Sequence, residues 1–181
     1  MKIQNVAVIG AGATGRQLAA LFANAGFETT LEDILPSNLR KAAEYLDSAA
    51  GLVPVRFANS IEDAVRGADL IIDSVPDELE SKLEIFSLLD RMAPPHSILL
   101  TPTRSLSIAD LASCTYRADR CIAVELPIGE LPGNGQLTLI STSLTSPEVF
   151  DAVSNFWVST GFTVEYRTDQ AEASVAAGTL F

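Results

Sequence analysis

Residues Gly10-Ala11-Gly12-Ala13-Thr14-Gly15 carry the spacing G-x-G-x-x-G. Each glycine at that spacing has a job in phosphate binding. The first lets the chain turn sharply, the second lets a pyrophosphate approach the backbone, and the third lets a helix pack closely on a strand. The N–H groups of Gly12, Ala13 and Thr14 would then hold a diphosphate at the positive end of a helix dipole. Alone the spacing is a weak sign, and its context decides. Here it follows the apolar run Val6-Ala7-Val8-Ile9 and precedes a helical pattern with Leu18, Leu21, Phe22 and Ala25 on one face. A dinucleotide site also needs an acid roughly 20 residues past the first glycine, to grip the adenosine ribose. Glu32 and Asp33 stand there. No arginine follows immediately, which favours NAD over NADP. The competing reading, a glycine-rich turn with no ligand, leaves the agreement of strand, glycines, helix and acid unexplained.

The elements that must position this loop alternate along the chain. Apolar runs at residues 27–32, 53–57, 70–75, 97–101, 121–125, 137–141 and 162–167 read as strands, the second of these weakened by Pro54. Between them lie helical patterns. One begins at Pro36, with Leu39, Ala42, Ala43 and Leu46 on one face, and stops at Gly51. A short one opens at Ser60 and closes at Gly67. A third carries Leu79, Leu83, Phe86 and Leu89, with Asp77, Glu78 and Glu80 loading its first turn with acid. Others lie at 107–112 and 147–160. Residues 126–136, with two prolines and three glycines, read as a loop. Strands alternating with helices predict an α/β fold: a Rossmann-type, doubly wound, mainly parallel sheet with helices on both faces. Ligands of such folds lie beyond the carboxyl ends of the strands. That end includes Val75-Pro76-Asp77, Thr101-Pro102-Thr103-Arg104 and Glu125-Leu126-Pro127.

Composition narrows the function. The 181 residues hold 12 Lys+Arg against 23 Asp+Glu, a formal charge of −11. Nucleic acid and anionic membrane surfaces both require a basic footprint, so neither is an expected partner. Small anions held by backbone N–H groups remain compatible. No apolar run approaches the ~20 residues of a membrane span, and the first residues lack a signal-peptide layout, so a cytoplasmic location is expected. Cys114 and Cys121 form no CxxC and read as reduced core thiols. A single histidine, His96, leaves little for a metal site.

With these motifs in place, the sequence resembles the NAD-binding domain of 3-hydroxyacyl-CoA dehydrogenases over almost its whole length. The opening KIQNVAVIGAGATGRQLAALFANAGFETTLEDI is similar to that family's start. The stretch ADLIIDSVPDELESKLEIFSLLDRMAPPHSILLTPTRSLSIADLA keeps the spacing of its acid, Pro, Lys and SLSI positions, and TSPEVFDAV and the final strand also fit. The resemblance implies NAD as cofactor. It places Gly10, Gly12 and Gly15 in the phosphate loop and Asp33 on the ribose. Val75, Pro76, Asp77 and Thr103 fall beside the cofactor, with Asp77 where the family has Glu. Lys82 matches a lysine near the adenosine side. Helix capping competes for Asp77, and a solvated helix face for Lys82.

The catalytic positions of the family do not carry over. It uses a His base oriented by a Glu, with Ser and Asn on the substrate oxygen. Its SNTSSLS segment reads TPTRSLS here, placing Arg104 at the Ser and Pro102 at the preceding Asn. Glu125 replaces the His, Thr138 the orienting Glu and Ala176 the later Asn. His96 falls in a turn at the wrong end of the sheet. Arg104 and Glu125 are the remaining catalytic candidates. Arg can hold a carboxylate bidentately, and a buried carboxylate with a raised pKa can act as a base. A simple salt bridge filling the site is the other reading.

Two functions follow as expectations. One is an NAD(H)-binding Rossmann protein without the usual hydroxyacyl-CoA chemistry. The other is an NAD-dependent oxidoreductase whose substrate half comes from a dimer mate or partner protein, with a small molecule or acyl-CoA as substrate. The 181 residues are expected to form a single domain, without the helical domain that follows in the family. The apolar stretch 171–181 is expected to pack as a helix on its own body or on a neighbour, giving a homo-oligomer.

Overall fold

Four short apolar runs form the centre of one sheet: β1 (Asn5–Ile9), β4 (Leu70–Asp73), β5 (Ile98–Pro102) and β6 (Cys121–Glu125). Their side chains are buried almost without interruption, as in strands covered on both faces. The computed structural model describes residues 1–48, 54–129, 131 and 133–169. The outer strands are β2 (Glu28–Glu32), β3 (Arg56–Ala58), β7 (Gly135–Ser141) and β8 (Phe162–Thr168). The order is β3-β2-β1-β4-β5-β6-β7-β8. All neighbours are parallel except β6 and β7, where Glu125 faces Thr138 in antiparallel register.

Side-chain alternation sorts the core into two layers. Val6 and Val8 point to one face, where α1 (Ala13–Asn24), α2 (Pro36–Ser48) and α6 (Pro147–Ser159) pack. Ala7 and Ile9 point to the other, under α3 (Ile61–Val65), α4 (Leu79–Met92) and α5 (Ile108–Ala112). The first layer carries an aromatic cluster in which Trp157 lies edge-on to Phe22, Phe156 and Phe162 at centroid distances of 5.5–5.7 Å. Such pairs add about 0.5–1.5 kcal/mol each beyond area burial.

The expected fold is present, with shifted boundaries. The fourth strand stops at Asp73 rather than Val75, because Asp73 Oδ1 accepts the Val75 N–H (2.9 Å) and curls the chain away. The third strand forms at Arg56–Ala58, beyond Pro54, which has no N–H to donate. The α4 helix begins at Leu79, so Asp77 precedes it and does not cap it. Ser60 and Ser146 do cap, accepting the N–H of Asp63 and Val149. Both cysteines are free, and burial pushes the Cys121 thiol up to about 12. The helix stop at Gly51, the start of the third strand at Val53, the stretch 171–181 and Ala176 lie outside the described residues. Among the described residues no helix is long and apolar enough to cross a membrane, and no cluster of three metal-ligating side chains occurs.

Candidate functional site

The strand order reverses direction at β1, with β2 on one side and β4 on the other. At such a switch point the loops leave the sheet on opposite sides and open a crevice at the carboxyl ends. Here it is a cleft of about 710 Å³.

Its floor is the glycine loop. Gly10 holds a φ of +101°, a conformation that favours glycine. Gly15 sits so close that a Cβ there would lie 1.8 Å from the Gly10 carbonyl oxygen. A Cβ on Gly12, by contrast, would meet nothing within 4 Å: it would point into open space over the cleft. Gly12 is the N-cap of α1, no acid occupies that helix's first turn, and Gly12, Ala13 and Thr14 are exposed on the cleft. Free N–H groups at a helix start, with backbone bared by glycine, suit a diphosphate.

Asp33 stands at the adjoining wall, nine-tenths buried. Its Oδ2 accepts the Ala11 N–H (2.8 Å) and the Asn38 side chain (3.1 Å), and its Oδ1 accepts the Leu35 N–H (2.8 Å). Three of its roughly four acceptor positions are thereby used, which orients the carboxylate and leaves one for a hydroxyl. Glu32, its neighbour, is also buried but does not line the cleft. Burial, and next to it the charge of Asp33, push its carboxyl up to about 7.

The opposite end of the cleft is built from the loops after β4, β5 and β6. Val75, Pro76, Asp77, Thr103 and Arg104 all line it. Thr103 Oγ1 accepts the Leu106 N–H (3.0 Å), and Asp77 Oδ2 accepts the Arg104 main-chain N–H (3.1 Å), so the two loops are tied together. The far wall is Leu126–Gly129 with Leu131, anchored by the Leu131 N–H on Gln17 Oε1 (2.8 Å).

Lys82 departs from both of its expected places. It is neither on a solvated face nor on the cleft wall, but 1% exposed beneath it. Its Nζ donates to Asp73 Oδ2 and Thr101 Oγ1, each at 2.9 Å, while Thr101 Oγ1 also donates to Asp73 Oδ2. Asp73 itself lines the cleft, so Lys82 reaches the site only through its partner.

Arg104 and Glu125 do meet, Nη1 to Oε1 at 3.4 Å, and Arg104 Nη2 donates to the Leu126 carbonyl. A third member was not apparent from the sequence. Arg167 of β8 reaches the other oxygen of Glu125, Nη2 to Oε2 at 3.2 Å. Register explains it: Ala123, Ile140 and Arg167 align across β6, β7 and β8, so Arg167 shares a face with Glu125. The contact follows only once the antiparallel register of β6 and β7 is known together with that of β7 and β8. Gln17, Asn38 and Ser74, which also line the cleft, carry no sequence signal of their own. His96 lies at the opposite end of the strands, 3.6 Å from Asp69.

The cradle fits a dinucleotide: open space over Gly12, free N–H groups at α1, and an oriented acid at the end of β2. Comparison with known proteins agrees. Residues 5–164 match the family described as 3-hydroxyacyl-CoA dehydrogenase, NAD binding domain. A probable 3-hydroxybutyryl-CoA dehydrogenase of Bacillus subtilis is 31% identical over 140 residues, covering 68% of this chain and 48% of that protein. A 5-formyl-3-hydroxy-2-methylpyridine 4-carboxylate 5-dehydrogenase of Mesorhizobium japonicum is 29% identical over 135 residues, covering 67% of this chain and 44% of that protein. The solved 3-hydroxybutyryl-CoA dehydrogenase of Escherichia coli K12 superposes with a TM-score of 0.84 at 25% identity, over 93% of this chain and 39% of that one. The chain thus spans about half the length of the curated relatives it matches. With its phosphate cradle, its sheet order and this match in agreement, the chain belongs to the NAD-binding domains of the 3-hydroxyacyl-CoA dehydrogenase family.

Proposed function

We propose that this chain holds NAD(H) in the cleft and does not perform the hydroxyacyl-CoA reaction of its family. Gly12, Ala13 and Thr14 take the diphosphate through their N–H groups, and Gly10 and Gly15 shape the turn that presents them. Asp33 takes a ribose hydroxyl. Val75, Pro76, Asp77 and Thr103 form the wall at the nicotinamide end, and Lys82 steadies that wall through Asp73. The bound nucleotide would supply a hydride carrier. The observation that carries the reading is Glu125. Where the family resemblance calls for a His base, a carboxylate stands instead, with one oxygen against each of two guanidinium groups.

Titration with NADH, followed by its fluorescence, tests the nucleotide half; binding in the wild type and its loss in Gly12→Val are expected. An assay with acetoacetyl-CoA and NADH tests the other half, and measurable turnover by the isolated chain would refute it. The second reading, an oxidoreductase completed by a second copy or a partner protein, is favoured by exposed Glu165 and Arg167 of β8, which share a sheet face with Glu125. Turnover that appears only as chain concentration rises, or only with the partner added, would select it.

A further inference from the structure

We infer that Arg104 on the cleft wall, backed by Arg167 through their shared Glu125, forms an anion seat beside the nicotinamide end of the cleft, and that it takes a small carboxylic acid. This rests on the reading that NAD(H) occupies the same cleft.

The charge count comes first. Two guanidinium groups share one carboxylate, with Nη1 of Arg104 at 3.4 Å from Oε1 and Nη2 of Arg167 at 3.2 Å from Oε2. The trio therefore carries one positive charge in excess, in a chain whose formal charge is −11. Asp77 does not cancel it by direct pairing, because it engages the main-chain N–H of Arg104 and not the guanidinium.

Exposure comes second. The side chains of Arg104, Arg167 and Glu125 are 48%, 41% and 32% exposed, so these ion pairs are wet and hold weakly. An incoming carboxylate can displace Glu125 from one arginine without leaving a charge buried. Arg104 also has donors to spare. A guanidinium has five N–H groups, and the contacts of Arg104 with Glu125 and the Leu126 carbonyl employ only its two terminal nitrogens.

Position comes third. Arg104 lines the cleft with Thr103 and the Leu126–Gly129 wall, whereas the diphosphate cradle is the floor at the start of α1. A ligand gripped by Arg104 would sit next to the nicotinamide and not on the phosphates. The cleft must first accommodate a dinucleotide, so the remaining space suits an acid of a few carbons. An arginine fork matches a carboxylate in plane and spacing, and a neutral ester offers it much less.

The experiment uses the whole 181-residue chain. NADH binding is measured first, then acetoacetate and methyl acetoacetate are each titrated into the NADH-loaded protein by calorimetry. The acid is expected to bind at least tenfold more tightly than the ester. Arg104→Met and Arg167→Met, each checked for an unchanged melting profile, are expected to weaken the acid at least tenfold and several-fold respectively, and to leave the ester unaffected. Should either variant fail to fold, raising the salt concentration on the wild type serves instead, with loss of the acid and not the ester expected. NADH binding with equal affinity for acid and ester would overturn the seat and keep the nucleotide reading. Failure to bind NADH at all would overturn both.

Discussion

The Asp33 carboxylate accepts the main-chain N–H of Ala11 at 2.8 Å, so the acid at the end of β2 braces the glycine loop at the end of β1. The residue best placed to meet a ribose is therefore also part of the loop's own scaffold, while its bonds to Leu35 and Asn38 fix the carboxylate from the other side.

Asp33→Ala is expected to reduce stability by about 1–3 kcal/mol, since the buried Ala11 N–H loses its acceptor. NADH affinity should fall by more than tenfold in the same variant. Asp33→Asn keeps one oxygen for Ala11 and Asn38 but turns its NH2 onto the Leu35 N–H, and should retain part of the stability while still losing affinity. Denaturant unfolding and NADH titration of both variants separate the two roles; equal affinity in Asp33→Asn and wild type would remove the ribose contact.

Two of the loop glycines should respond in opposite ways. Gly15→Ala drives a Cβ to 1.8 Å from a main-chain oxygen, and a large loss, of about 3 kcal/mol or more, or failure to fold is expected. Gly12→Ala meets nothing within 4 Å and has an ordinary φ of −65°, so its melting temperature should barely move. Its NADH affinity should fall, because the methyl stands where the diphosphate approaches. Melting and titration of both variants give the comparison.

Lys82 tests whether the buried pair supports the cleft wall. Lys82→Met leaves Asp73 charged and unpaired at 0% exposure, which costs about 3–5 kcal/mol. The double variant Lys82→Met with Asp73→Asn should recover a good part of that loss. A double variant no more stable than the single, in urea unfolding, would contradict the pairing.

Glu32 should give stability an unusual pH slope. Its carboxyl has a pKa of about 7 in the folded chain against a reference of 4.5. Between those values the folded chain holds a proton that the unfolded chain has released, so stability falls as pH rises from 4.5 to 7 and is level above. Glu32→Gln removes the penalty. The variant should exceed the wild type by about 1–3 kcal/mol at pH 8, and the gain should vanish near pH 4.5. Denaturation midpoints at pH 4.5, 6 and 8 check it; a gain independent of pH would refute the assignment.

Most of the fold was readable because its signals are local. Val6–Ile9 and Leu70–Ile72 are apolar runs, and glycine, proline and serine punctuate the helices between them. The phosphate loop was equally legible, because Gly10 and Gly15 at their fixed spacing meet backbone demands that a side chain cannot, and Gly12 between them leaves open space. What escaped depends on distance. Lys82 sits on a helix whose sequence gives no hint that its ammonium turns inward to Asp73 and Thr101. Arg167 meets Glu125 only because β7 reverses against β6, a pairing that periodicity cannot supply. Asp77 was readable as an N-terminal acid of α4, but Arg104 on the next loop claims it first.

The reversal at β7 has a wider bearing. It divides the sheet into an interior that handles the nucleotide and a margin that faces whatever lies beside it. β7 and β8 can exchange their outward side chains without touching β1, β2 or the glycine loop. A lineage holding the interior fixed would thus be free to rewrite its margin, acquiring a new preference in a neighbouring ligand at little risk to the older half.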